Sequence, residues 1–115
     1  MKTNFSKKQS KYWDSYTQGI DTLELIKIPV AEKQELIFLK KLLGVTKGKT
    51  ILDLGCGTGK FGLKLASEAK KVVGIDISKA SVAIANRTAK RYKIKNFEGV
   101  VGDFKNQGYK NYFDI

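Results

Sequence analysis

Apolar residues recur first at helical spacing and then in short continuous runs, and the change falls near residue 50. Residues 6–18 mix Lys7, Lys8 and Lys11 with Tyr12, Trp13 and Tyr16, which predicts a short helix with one aromatic side. Those aromatics can dock the helix on the domain or close over a ligand, since amphipathic rings serve both uses. Gly19-Ile20-Asp21 breaks the pattern. Pro29 can open a second helix, because its missing N–H costs nothing at the first helical position. Leu36, Ile37, Leu39, Leu42 and Leu43 carry the helical period to a stop at Gly44.

Beyond the turn at 45–49 the rhythm shortens. Residues 50–54 read as a strand, 61–69 as a helix and 72–75 as a buried strand closed by Asp76-Ile77. Ser78 suits the amino-terminal cap of a helix over 79–92, where Ala80, Val82, Ala83, Ile84 and Ala85 supply the apolar side. A third strand over 97–101 ends in Gly102-Asp103-Phe104, and Tyr112-Phe113-Asp114-Ile115 begins a fourth. Strand, helix, strand, helix, strand is the half-unit of a parallel sheet with right-handed crossovers, so the predicted class is α/β. Residues 1–48 form an amino-terminal helical lid or cap, and 49–115 the sheet-bearing part, which stops inside strand four.

The junction Ile51-Leu52-Asp53-Leu54-Gly55-Cys56-Gly57-Thr58-Gly59-Lys60-Phe61-Gly62 organises the rest. Three glycines on alternate positions exceed what a structural turn needs, and they let a ligand approach bare backbone. A phosphate loop would need a hydroxyl residue where Phe61 stands, and the dinucleotide fingerprint would want a glycine at Lys60. Neither pattern fits. Asp53, Asp76 and Asp103 fall at the ends of three successive strands, where ligands of parallel sheets sit. Asp76 lies about twenty residues past the glycines, the separation at which a carboxylate meets a ribose diol.

Composition narrows the chemistry further. The 115 residues make at most one domain, with 22 Lys and Arg against 11 Asp and Glu and a net charge of +11. Such an excess attracts nucleic acid, acidic protein or anionic lipid, although no run of five like charges occurs. There is no histidine and Cys56 is the only cysteine, which excludes an internal disulfide and a histidine-cysteine zinc site, so no metal is expected. No stretch approaches a membrane span, and the amino terminus lacks the apolar core of a secretion signal, so a cytoplasmic location is expected.

These motifs resemble those of class I S-adenosylmethionine-dependent methyltransferases. Residues 51–62 look like the first motif of that family, 72–78 like its second-strand acidic motif, and Val101-Gly102-Asp103-Phe104 like its third-strand motif. The stretch Tyr12-Trp13-Asp14-Ser15-Tyr16 is loosely similar to the amino-terminal segment of many members that act on small molecules or RNA. The resemblance implies a Rossmann-like parallel sheet, here incomplete at about four strands, and S-adenosyl-L-methionine as cofactor, with S-adenosyl-L-homocysteine as product. Gly55, Gly57 and Gly59 would lie against the methionyl part and the adenosine, with Cys56 between them as small filler. Asp53 would hold the amino group, Asp76 the ribose hydroxyls, and Ile77 would pack on the adenine. Asp103 would accept from the adenine amino group, Phe104 would lie against the ring, and Tyr16 would belong to the closing segment.

In that family strand four pairs with strand one, and acceptor-binding or catalytic residues commonly follow it. The resemblance therefore implies a cofactor-binding part that is inactive alone, with its catalytic residues unknown and an exposed strand edge open to another chain or copy. The acceptor is unidentified, a small molecule being favoured over RNA. Two other classes stand beside this reading: a non-catalytic adenosyl-ligand subunit, and a basic nucleic-acid-binding domain that uses the sheet as scaffold. A nicotinamide oxidoreductase fits less well because of Lys60.

Overall fold

The computed structural model describes residues 7–11 and 30–115, with side chains in the second segment from residue 34 onward. Residues 7–11 are helical. Helix α1 spans Val30–Leu43, followed by strand β1 at Thr50–Leu54, helix α2 at Lys60–Leu65 and strand β2 at Lys71–Asp76. Helix α3 at Lys79–Arg91, strand β3 at Phe97–Val101 and a 3-10 turn at Phe104–Asn106 complete the order. Among the described residues no helix is long and apolar enough to cross a membrane.

The three strands are parallel in the order β1-β2-β3, with Ile51 opposite Val72 and Val72 opposite Phe97. Val72, Val73 and Ile75 of the central strand are buried, which explains its unbroken apolar run: both faces of a parallel strand are covered. The fourth strand expected from residue 112 is not formed, and the sheet has three strands, but Ile115 lies along β1. Ile115 N–H donates to Thr50 O at 3.3 Å and Leu52 N–H to Ile115 O at 2.9 Å, the parallel pattern, on the side of β1 away from β2.

The core lies between one sheet face and the helices. Ile51, Val72 and Phe97 from the strands meet Leu63 and Leu65 of α2 and Ala85 and Ala89 of α3, with Leu36, Leu39 and Leu43 of α1 packed against them. Ile37 and Leu42, expected in the same stripe, are exposed. Only residues three and four apart share a helix face, and Leu36, Leu39 and Leu43 already fill the one turned inward. Ser78 caps α3 as expected, its Oγ accepting from Ser81 N–H at 3.2 Å.

Helix α2 is shorter than its periodicity predicts, ending at Leu65 and passing into turns. Asn96, just ahead of β3, explains the stop: its Nδ2 donates to Ala66 O at 2.6 Å and to Ala69 O at 3.0 Å. A side chain far along the chain thus satisfies carbonyls that a longer helix would have used. Asn86 of α3 acts similarly on β3. Its Nδ2 donates to Gly99 O at 3.0 Å and its Oδ1 accepts from Gly99 N–H at 2.8 Å, so one amide group covers the middle of that strand's outer edge.

Candidate functional site

The carboxyl ends of the strands converge on the glycine turn. Gly55 and Cys56 N–H both donate to Ile75 O, at 2.7 and 3.2 Å, which ties the start of the turn to β2. Gly59 adopts φ +85°, and a Cβ there would stand 3.0 Å from Leu63 Cδ1 and 3.1 Å from Ala85 Cβ. This glycine therefore serves both a left-handed bend and the close seating of α3. Around Gly55 and Gly57 the case differs, because a Cβ at either would meet nothing within 4 Å. Their surface faces open space.

Asp76, at the end of β2, braces that turn. Its Oδ2 accepts from Gly57 N–H at 2.8 Å and its Oδ1 from Ser78 N–H at 2.9 Å, while its carbonyl accepts from Gly102 N–H at 2.9 Å. Each carboxylate oxygen keeps a further lone pair for a ligand hydroxyl. Ile77 is tied to the amino-terminal helical stretch, since Ser10 Oγ donates to its carbonyl at 2.6 Å and Ser10 is itself buried. Tyr16, expected in the same closing segment, lies outside the described residues.

Asp53 sits differently from Asp76. A Cβ on Gly62 would lie 3.1 Å from Asp53 Oδ2, which places the carboxyl close against the first turn of α2. It also borders a cavity of about 420 Å³ shared with Phe38, Leu39, Phe61 and Ile115. Burial first, and the charge of Asp76 second, push its pKa from 3.8 up to about 6. A carboxyl held in that state is poised to take up a cationic donor.

Cys56 is buried, and its thiol is pushed to about 12, by burial first and then by the charges of Asp53 and Asp76. It packs on Gly74, where a Cβ would stand 2.7 Å from its own Cβ. So deep a thiol has no nucleophilic use. Asp103 caps the 3-10 turn, its Oδ1 accepting from Lys105 N–H at 3.1 Å. Phe104 stacks on Tyr109, with centroids 6.2 Å apart and planes at 11°. With Tyr109, Tyr112 and Leu54 it edges a second cavity of about 540 Å³.

The structure thus ties Gly57 to Asp76 directly, with Gly55 open beside them, Ile77 next along the chain and Asp103 near through the Gly102 bond, while Gly59 is closed against Leu63 and Ala85 and Asp53 lies against the first turn of α2. Sequence reasoning missed Ser10 and the bracing role of Asp76. It also missed Gly74, although a glycine inside an apolar strand is a known sign of close approach. Chemically, the turn offers bare main chain at Gly55 and Gly57, the Asp76 carboxyl beside it and, in Asp53, an acid of raised pKa behind it.

A family model described as a methyltransferase domain matches residues 45–115. The chain belongs to the class I S-adenosylmethionine-dependent methyltransferases. Among curated members, an uncharacterized RNA methyltransferase of Clostridium tetani is 42% identical over 65 residues, covering 56% of this chain and 14% of that protein. Cypemycin N-terminal methyltransferase of a Streptomyces species is 37% identical over 68 residues, covering 59% of this chain and 26% of that protein. The chain therefore spans about a quarter or less of the length of these methyltransferases.

Among solved methyltransferase structures, the geranyl diphosphate C-methyltransferase of Streptomyces coelicolor superposes with a TM-score of 0.76. It covers 96% of this chain and 51% of that one at 19% identity, which establishes the shared fold. That structure holds Mg2+, geranyl diphosphate and S-adenosyl-L-homocysteine. The α/β class and the Rossmann-like parallel sheet expected for a methyltransferase are both present, with three strands formed and Ile115 bonded to the free side of β1.

Proposed function

We propose that this chain binds S-adenosyl-L-methionine across the glycine turn and forms the cofactor-binding part of a methyltransferase. The observation that carries the reading is the open space over Gly55 and Gly57, beside a carboxylate whose oxygens retain free lone pairs. The methionyl part and the adenosine lie on Gly55, Cys56, Gly57 and Gly59, where only main chain is offered. Asp76 accepts from both ribose hydroxyls, and Ile77 packs on the adenine. Asp103 accepts from the adenine amino group and Phe104 stands against the ring. Asp53 holds the amino group, directly or through water.

When bound, the cofactor supplies a methyl group activated on a sulfonium, whose leaving group is a neutral thioether. The work left to the chain is alignment, which can lower a barrier by about 7 to 11 kcal/mol in favourable cases. Within the amino-terminal cap of residues 1–48, the stretch at 7–11 acts as the lid, a role supported by the bond from Ser10 to Ile77 O, while α1 packs on the core. The protein works in the cytoplasm in this reading.

The acceptor is the finer part of the proposal. RNA is supported by the name of the Clostridium tetani relative, and a small molecule by the geranyl diphosphate enzyme. Transfer of labelled methyl to bulk RNA or to a small-molecule extract separates the two.

Calorimetry with S-adenosyl-L-homocysteine tests the site itself. Asp76→Asn keeps an acceptor for Gly57 N–H while removing the charge, and should weaken binding by about tenfold to a hundredfold. Equal heats for both proteins would remove Asp76 from the site, and no heat with the unaltered chain would sink the reading.

A further inference from the structure

At the opposite ends of the strands, a groove of about 740 Å³ runs between the end of α2 and the loop that joins α3 to β3. Lys64 stands on one wall, and Tyr92, Lys93, Ile94, Lys95 and Asn96 form the other. No acid lines it. Lys93 and Lys95 are exposed, and Lys90 and Arg91 extend the charge along the last turn of α3. None of these cations takes part in an ion pair among the described residues, where the bridges are Lys40 to Glu68 and Lys71 to Glu98.

Helix-dipole compensation explains Lys64, Lys90 and Arg91, which lie in last turns. It does not explain Lys93 and Lys95, which lie beyond the helix. Lys93 also sits in a conformation that lysine disfavours. Its φ is +56°, and the bonds Ile94 N–H to Ala89 O at 2.8 Å and Lys93 N–H to Lys90 O at 3.2 Å make a Schellman end, whose left-handed position usually holds glycine. The strained position thus presents a long cationic side chain where glycine would cost less, and it stands on the groove wall. Tyr92, 39% exposed at the same corner, adds a ring on which a base can stack.

We propose that this groove binds single-stranded RNA, with Lys64, Lys93 and Lys95 on successive phosphates and Tyr92 under a base. The site is separate from the glycine turn and does not depend on the cofactor reading. It holds RNA at the end of the sheet away from the adenosyl trough, so a long strand has a fixed anchor whatever happens at the other end. Charge complementarity selects the polyanion, and the aromatic corner selects bases over a lipid surface.

The test is fluorescence anisotropy of a short labelled oligoribonucleotide on the full chain, titrated with salt. Changing Lys64, Lys93 and Lys95 together to alanine should weaken binding about tenfold or more at low salt and make the log-log salt slope shallower by about 2. Tyr92→Leu should weaken it by about fivefold to a hundredfold with the slope unchanged. Thermal melting confirms that each variant is folded. An equal loss when Lys41, Lys105 and Lys110 are changed instead would show a diffuse field and overturn the proposal. So would salt-insensitive binding, or lysine-dependent capture by phosphatidylglycerol vesicles with no capture of RNA.

Discussion

Asp76 Oδ2 accepts the Gly57 amide at 2.8 Å, so the acid at the end of β2 holds the centre of the glycine turn in place before any ligand arrives. One carboxylate thereby serves both the loop's shape and its chemistry. Asp76→Ala removes the bonds from Gly57 and Ser78 together and should destabilise the fold by about 2 to 3 kcal/mol. Asp76→Asn should lose less than half of that. Urea denaturation of the two variants checks the order, and equal midpoints would remove the bracing role.

Asp53 makes stability depend on pH in a stated direction. Its folded pKa, about 6, lies above the unfolded 3.8, so between those values the native state binds more protons and stability falls as pH rises. The penalty is absent below pH 3.8 and complete above about 6, where it approaches about 3 kcal/mol. Asp53→Asn should therefore melt higher than the unaltered chain at pH 8 and alike at pH 4. A cationic ligand amine should reverse the shift, seen as proton release when calorimetry near pH 6 is repeated in buffers of different ionisation heat.

Gly74 and Cys56 form a packing pair that tolerates no added carbon. A Cβ on Gly74 would stand 2.7 Å from Cys56 Cβ and 2.8 Å from its Sγ. Gly74→Ala should cost about 1 to 3 kcal/mol through overpacking beneath the turn. Cys56→Ala should rescue it only in part, because it removes the sulfur and leaves the Cβ. Thermal melts of the two single variants and the double variant measure that coupling.

Lys93 gives the opposite expectation. Glycine fits φ +56° without a Cβ penalty, so Lys93→Gly should stabilise the fold by up to about 1 kcal/mol. The same change should weaken RNA at the groove. A rise in melting temperature with unchanged anisotropy would mean that the lysine is kept there for some other reason.

Much of this was legible from local pattern. The strand runs, the Ser78 cap and the acids at strand ends were readable because each is a signal between near neighbours: alternate glycines, a cap at the third residue, apolar runs of four or five. What escaped depends on partners far along the chain. The stop of α2 at Leu65 is made by Asn96, thirty residues past Ala66. The raised pKa of Asp53 comes from burial under α2 and from a neighbour on another strand. Ile37 and Leu42 look like core by hydropathy, yet only the register against the sheet decides which face of α1 turns inward.

The amide of Asn86 on Gly99 has a consequence for assembly. By standing in for a missing neighbour at the middle of β3, it denies that border to any incoming strand, whether from a second copy or from an unfolded chain. Asn86→Ala should open the forbidden border and promote self-association, seen as a rise in mass by light scattering.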